Sequence, residues 1–153
     1  MAIDVIDEKL LEVLQENARI SISELSKRIN LSLSAVSERV KKLESSGAIR
    51  QYTTILDPVA MNQNLISVIT ISVTGDPKAC DLLKYIKSSS SIMSCYRVTG
   101  TYDYMATVCS QDQAALQATL DEIKKLRGVS MVHSTVLLEP LKVNFSVPPK
   151  ASK

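Results

Sequence analysis

The sequence has no tryptophan, a single phenylalanine and a single histidine among its 153 residues. Aliphatic side chains must therefore supply most of the packing, and a metal or catalytic site built on several histidines is excluded. His133 reads as a structural or exposed strand residue. The three cysteines, Cys80, Cys95 and Cys109, share no C-x-x-C spacing. Each lies in or beside an apolar run and reads as a small buried hydrophobe in a reducing compartment. No Ser/His/Asp set, Cys/His cluster or glycine-rich phosphate loop is present, so no catalytic residues, metal or cofactor are expected. No apolar run reaches the ~18 residues that a membrane-crossing helix needs. Charges recur from Asp4 onward, which speaks against a signal sequence. A soluble, cytoplasmic protein with no membrane partner is expected.

Nearly half of the residues are apolar, enough for a real core. The net charge of +2 announces no polyanionic partner, but its distribution is uneven. Residues 1–20 carry Asp4, Asp7, Glu8, Glu12 and Glu16 against Lys9 and Arg19. Residues 21–50 reverse the balance, with Lys27, Arg28, Arg39, Lys41, Lys42 and Arg50 against Glu24, Glu38 and Glu44. A local basic excess on short helices can place cations on phosphates even in a nearly neutral molecule.

Three helices are predicted in the first fifty residues. Asp4 is a plausible N-cap, with Asp7 acidic in the first turn and Ile6, Leu10, Leu11 and Leu14 on one face. Ser21 and Glu24 have capping-box spacing and open a short helix that turns Leu25 and Ile29 inward. Asn30 suits the left-handed conformation of a sharp exit. Ser32 caps a third helix with an apolar stripe of Leu33, Val36, Val40 and Leu43, stopped by Gly47. Two short helices joined by Asn30-Leu31-Ser32 after a supporting helix make a helix-turn-helix pattern. Ser34, Ala35, Ser37, Glu38 and Lys41 then project outward, with Ser32 at the helix start. The leading residues are short enough to enter a major groove, where serine can hydrogen-bond base edges and alanine can touch a thymine methyl. Arg39, Lys41 and Lys42 are expected to hold phosphates, and Lys27 and Arg28 to grip the flanking backbone of double-stranded DNA. A packed three-helix unit with a merely solvated charged face is the plainer alternative.

The chain changes character between Gly47 and Asp57. Residues 49–56 are rich in β-branched side chains and read as a strand linking two domains. The remainder reads β-α-β-β-α-β, with Ile69, Ile71 and Val73 alternating in the first strand. A helix follows the Gly75-Asp76-Pro77 turn, from about 78 to 88. Strands are expected at 92–98 and 103–109 and a helix from 113 to 126. A strand at 129–138 follows, and alternation at Leu141, Val143, Phe145 and Val147 suggests a last one. The expected architecture is α+β: a helix-turn-helix domain (1–50), a linker strand and hinge (51–65), a ferredoxin-like αβ-sandwich (66–147) and a flexible tail (148–153). One sheet face is left for solvent or a partner subunit.

Several segments carry a resemblance. They are Ile3 to Asp7 with Leu10-Leu11, Asn17 to Ser21, Glu24-Leu25-Ser26, Leu31-Ser32, Val36 to Glu44 and Gly47-Ala48-Ile49. Together they resemble the reading head of the Lrp/AsnC (feast/famine) family of transcriptional regulators. Gly100-Thr101-Tyr102-Asp103-Tyr104 resembles that family's G-x-Y-D-Y signature, so the likeness spans roughly residues 2–145. It implies a regulatory domain that binds a free amino acid near this loop at contacts between dimers. It also implies homodimers joined through the C-terminal sheets and commonly assembled into octamers. The residues themselves leave two readings of the loop open. Asp103 can serve as a fixed anion for an ammonium group, or it can simply satisfy amides in a hairpin turn. Ser134 matches a hydroxyl position on the family's last sandwich strand, while Val132 departs from one that is often threonine. Two other functions compete: a ligand-independent architectural DNA-binding protein, and a siroheme decarboxylase subunit, a group of similar fold.

Overall fold

The structure, a computed structural model, describes residues 2–75 and 81–151. The chain forms two compact units, one built from the residues through Thr54 together with those from Lys142 onward, the other from Ile55–Leu141.

The first unit holds α1 (Val5–Glu16), α2 (Ile22–Ile29) and α3 (Leu33–Ser45). Asp4 caps α1, accepting from the amides of Ile6 at 2.9 Å and Asp7 at 2.8 Å. Asp7 returns the contact by accepting from the Asp4 amide at 3.2 Å, which completes a capping box built from two aspartates. The Ser21 hydroxyl accepts from Glu24 N at 3.1 Å to start α2. Asn30 ends α2 in the left-handed region (φ 59°), as its short polar side chain allows. Ser32 then caps α3 through Ala35 N. Gly47, at φ +77°, lets the Ile49 amide fold back to the Leu43 carbonyl. Leu10, Leu25, Val36, Val40 and Leu43 form the buried cluster where the helices meet.

Leu33 departs from expectation. It has the right phase for the stripe but is 55% exposed, because it is the first residue of α3 and lies beyond the edge of that cluster.

The expected strand at 49–56 has no ladder. Its composition favours an extended chain, but a strand needs a neighbour to pair with, and none of the described strands takes that place. The Tyr52 hydroxyl instead donates to Glu44 Oε1 at 3.0 Å. Burial, helped by that carboxylate, pushes the phenol up to about 12. The expected last strand at 141–147 is likewise unpaired. Gln15 Nε2 donates to Ser146 Oγ and the Val147 carbonyl at 2.9 and 2.7 Å. The Ala151 amide donates to Glu8 Oε2, so the tail is tied to α1 through its last described residue.

The second unit contains β1 (Leu65–Val73), α4 (Leu82–Ser88), β2 (Ile92–Arg97), β3 (Tyr104–Ser110), α5 (Gln113–Lys124) and β4 (Val129–Val136). The beginning of the helix expected from 78 lies outside the described residues. The sheet is antiparallel with strand order β2-β3-β1-β4, the order of a ferredoxin-like sandwich. Ile69 and Ile71 of β1 and Tyr104, Ala106 and Val108 of β3 bury one face against Leu82, Leu116, Leu120 and Ile123 of the helices. The period-2 alternation leaves Thr70, Met105, Met131 and His133 on the opposite face.

Candidate DNA-reading surface and sensing loop

α3 presents two stripes. Val36, Val40 and Leu43 are buried, while Ser34, Glu38 and Lys41 are exposed on the far side with Ser37 half-buried beside them. Ser32 and Ser34 hydroxyls lie 3.1 Å apart, and Ala35 is half-buried. The turn that sets α3 against α2 is closed by two bonds. The Leu31 amide donates to the Ser26 carbonyl at 3.2 Å, and the Ser26 hydroxyl donates to the Leu31 carbonyl at 2.5 Å. The sequence reading missed this role of Ser26, although a serine five residues before Leu31 is the available signal.

The basic residues separate into two groups. Lys27, Lys41 and Lys42 are exposed and carry no ion pair among the described residues. Arg28 pairs with Glu16 at 3.1 Å, with both side chains about half or more exposed. Such a surface pair is weak and can open at little cost. Arg39, expected to hold phosphate, is engaged within the domain instead. Its Nη1 donates to Asp4 Oδ2 and Asp7 Oδ1, both at 2.7 Å, and its side chain is partly buried. The Asp7 amide and the Arg39 guanidinium hold the Asp4 carboxyl below the ordinary aspartate value. The two carboxylates raise the Arg39 pKa in turn.

In the second unit, Gly100 adopts φ +108°, a region that side-chain-bearing residues rarely enter. Asp103 binds the loop to β1. Its Oδ2 accepts from Val73 N at 2.8 Å, its own amide donates to the Ile71 carbonyl at 3.0 Å, and its carbonyl accepts from Val98 N at 2.9 Å. One carboxylate oxygen of Asp103 is thus used by an amide of β1, thirty positions away, rather than by one in its own turn. Tyr104 is turned away from the exposed part of the loop. Paired with Ile71, it points beneath the helices and is buried. Thr101 is exposed and Tyr102 half-buried.

Within one chain Ser134 and the loop are not brought together. Ser134 pairs with Ile69, whereas the loop closes over Ile71 and Val73, two to four positions or roughly 7–13 Å further along β1. A contact that the sequence did not reveal is Tyr102 on His133, with ring centroids 5.5 Å apart and planes at 68°. That edge-to-face geometry is favourable for aromatic rings. His133 Nε2 also lies 3.2 Å from Met131 Sδ. Period-2 alternation already sets His133 and Ser134 on opposite faces, and only the sheet register shows which face each takes.

Comparison with known proteins agrees with both halves. Residues 3–50 match the winged helix-turn-helix DNA-binding family, and residues 67–147 match the Lrp/AsnC ligand binding domain. The chain belongs to the Lrp/AsnC family. It is a helix-turn-helix transcriptional regulator of that type. The HTH-type transcriptional regulator FL11 of Pyrococcus abyssi is 31% identical over 98% of this chain and 99% of its own length. The leucine-responsive regulatory protein of Haemophilus influenzae is 34% identical over 95% of this chain and 90% of its own. A transcriptional regulator from Neisseria meningitidis, solved in complex with L-methionine, superposes with a TM-score of 0.90 at 34% identity. That match covers 95% of this chain and 96% of the other. Among the described residues, no helix of this Lrp/AsnC regulator is long and apolar enough to cross a membrane.

Proposed function

We propose that this chain is a cytoplasmic regulator that reads specific DNA sites with α3 and adjusts its binding to a free amino acid, without metal, cofactor or catalysis. The observation that carries the reading is the outer stripe of α3. Short residues (Ser34, Ala35, Ser37) lead it and can approach base edges, while the exposed Lys41 and Lys42 follow and Lys27 stands on α2. Ser32 and Glu38 complete the surface, and Arg28 joins it when its pair with Glu16 opens. Assembly into homodimers, and from them into octamers, is supported by the apolar side chains left uncovered. Met105, Met131 and Tyr96 are exposed on the sheet, and Leu138, Leu141 and Phe145 beyond it. Two-fold pairing would present α3 to half-sites about one DNA turn apart, or a multiple of it.

The effector site is proposed at Gly100, Thr101, Tyr102 and Asp103, with Ser134 supplied by a neighbouring subunit. The methionine complex of the Neisseria relative supports an amino acid as ligand. A second reading, a ligand-independent architectural protein, draws on the use of Asp103 Oδ2 by the Val73 amide.

A fluorescence-anisotropy titration at fixed salt tests both. The duplexes are the gene's own upstream DNA and a scrambled sequence, each with and without mixed amino acids. Preference for the upstream DNA that shifts with the mixture is expected. Equal, unshifted binding to both duplexes would favour the architectural reading.

A further inference from the structure

We infer that Arg39 is a positioning residue for DNA recognition, fixing the roll of α3 by clasping the capped end of α1. The inference rests on α3 being the DNA-reading helix. One guanidinium nitrogen binds two carboxylates at 2.7 Å each. Neither carboxylate is free to follow a moving arginine. Asp4 is held by the amides of Ile6 and Asp7, and Asp7 by the amide of Asp4. The clasp is therefore stiff at its α1 end.

The charge count opposes a phosphate role. Two aspartates face one arginine, so the cluster carries a net negative charge at neutral pH, and an approaching phosphate would meet repulsion. Drawing the guanidinium onto DNA would also strand Asp7, which is buried, beside a second carboxylate. Lys27, Lys41 and Lys42, exposed and without an ion pair among the described residues, offer phosphates a far less costly contact.

The place of Arg39 on the helix gives the clasp its leverage. At 100° per residue, Arg39 borders the buried stripe of Val36, Val40 and Leu43, on one flank only. Aliphatic packing alone tolerates small rotations about the helix axis, because dispersion and burial are not directional. A helix with side chains has a radius of about 5–6 Å, so a 20° roll would carry an outer side-chain tip by roughly 2 Å. Hydrogen bonds to base edges weaken over far smaller displacements. A short, doubly anchored ion pair on one flank opposes that roll, and Ser34, Ser37 and Glu38 stay aimed.

The test is anisotropy on upstream and scrambled duplexes across a salt series, well below each variant's melting temperature. Arg39→Met keeps the aliphatic stem and removes the clasp. It is expected to lower affinity for the upstream duplex about tenfold while changing scrambled binding little, with an unchanged salt slope. Arg39→Lys should recover part of the lost discrimination. Lys41→Ala is the contrasting control and should weaken both duplexes alike while reducing the salt slope by about one per bound phosphate. If Arg39→Met lowers the slope as Lys41→Ala does, Arg39 holds phosphate and the inference fails. Undiminished discrimination in Arg39→Met also overturns it. Should Arg39→Met not fold, Arg39→Lys decides by the same two readings, its discrimination and its slope. A wild-type chain without preference would refute the sequence-specific reading itself, and the positioning role with it.

Discussion

Replacing Asp103 with alanine removes the acceptor for the Val73 amide and leaves that half-buried N–H without its 2.8 Å partner at the end of β1. Hydrogen bonds to charged groups contribute about 1.5–3 kcal/mol, and Asp103 is only half-buried, so a loss of about 2 kcal/mol is expected. In a unit the size of Ile55–Leu141, that lowers the melting temperature by roughly 8–16 °C. Asparagine keeps an oxygen in the same place and removes only the charge. Asp103→Asn should therefore keep about half of the bond's contribution and melt roughly 4–8 °C below the parent, about half the drop expected for alanine. The pair of variants separates two roles that alanine alone confounds. If Asp103 binds an effector's ammonium group, Asp103→Asn abolishes the amino-acid response in the DNA titration while the fold persists. Thermal melting by circular dichroism, followed by anisotropy with mixed amino acids, reads both. Equal destabilisation by alanine and asparagine would refute the reasoning, because the charge and not the acceptor would then matter. An alanine variant as stable as the parent would refute it equally.

Gly100→Ala places a side chain at φ +108° with nothing within 4 Å of the new Cβ, so its cost is backbone strain alone, about 1–3 kcal/mol. A melting temperature equal to the parent's would mean that the loop relaxes freely. Acid should loosen the α1–α3 clasp. Because the Asp4 pKa is lowered on folding, its contribution is complete above the ordinary aspartate range. It is lost progressively as pH falls from that range through the lowered value. Asp4→Asn should flatten this acid limb of stability against pH, and identical limbs for parent and variant would contradict the assignment.

Much of the reading head was legible because its signals are local. Asp4, Ser21, Ser32, Asn30 and Gly47 all take the cap or turn conformations their chemistry favours, since each bond closes within a few residues. The order of strands and helices in the second unit was legible for the same reason. Periods of 2 and 3.6 are properties of short windows. Pairing is not local, which is why residues 49–56 and 141–147 looked like strands and carry no ladder. Composition encodes a preference for extended backbone, but a ladder depends on what lies alongside.

The charged residues divide along the same line. The sequence by its pattern placed a basic excess on α2 and α3, where Lys27, Lys41 and Lys42 are exposed. It could not show that Arg39 belongs to Asp4 and Asp7, which lie more than thirty positions away and meet it only when α1 crosses α3. Nor could it separate Tyr104, turned under the helices by the register with Ile71, from Tyr102, which reaches His133. Caps, turns and periodicities are set by neighbours along the chain and are already present in the sequence. Partners of charges and aromatic rings are set by neighbours in space, and folding alone brings those together.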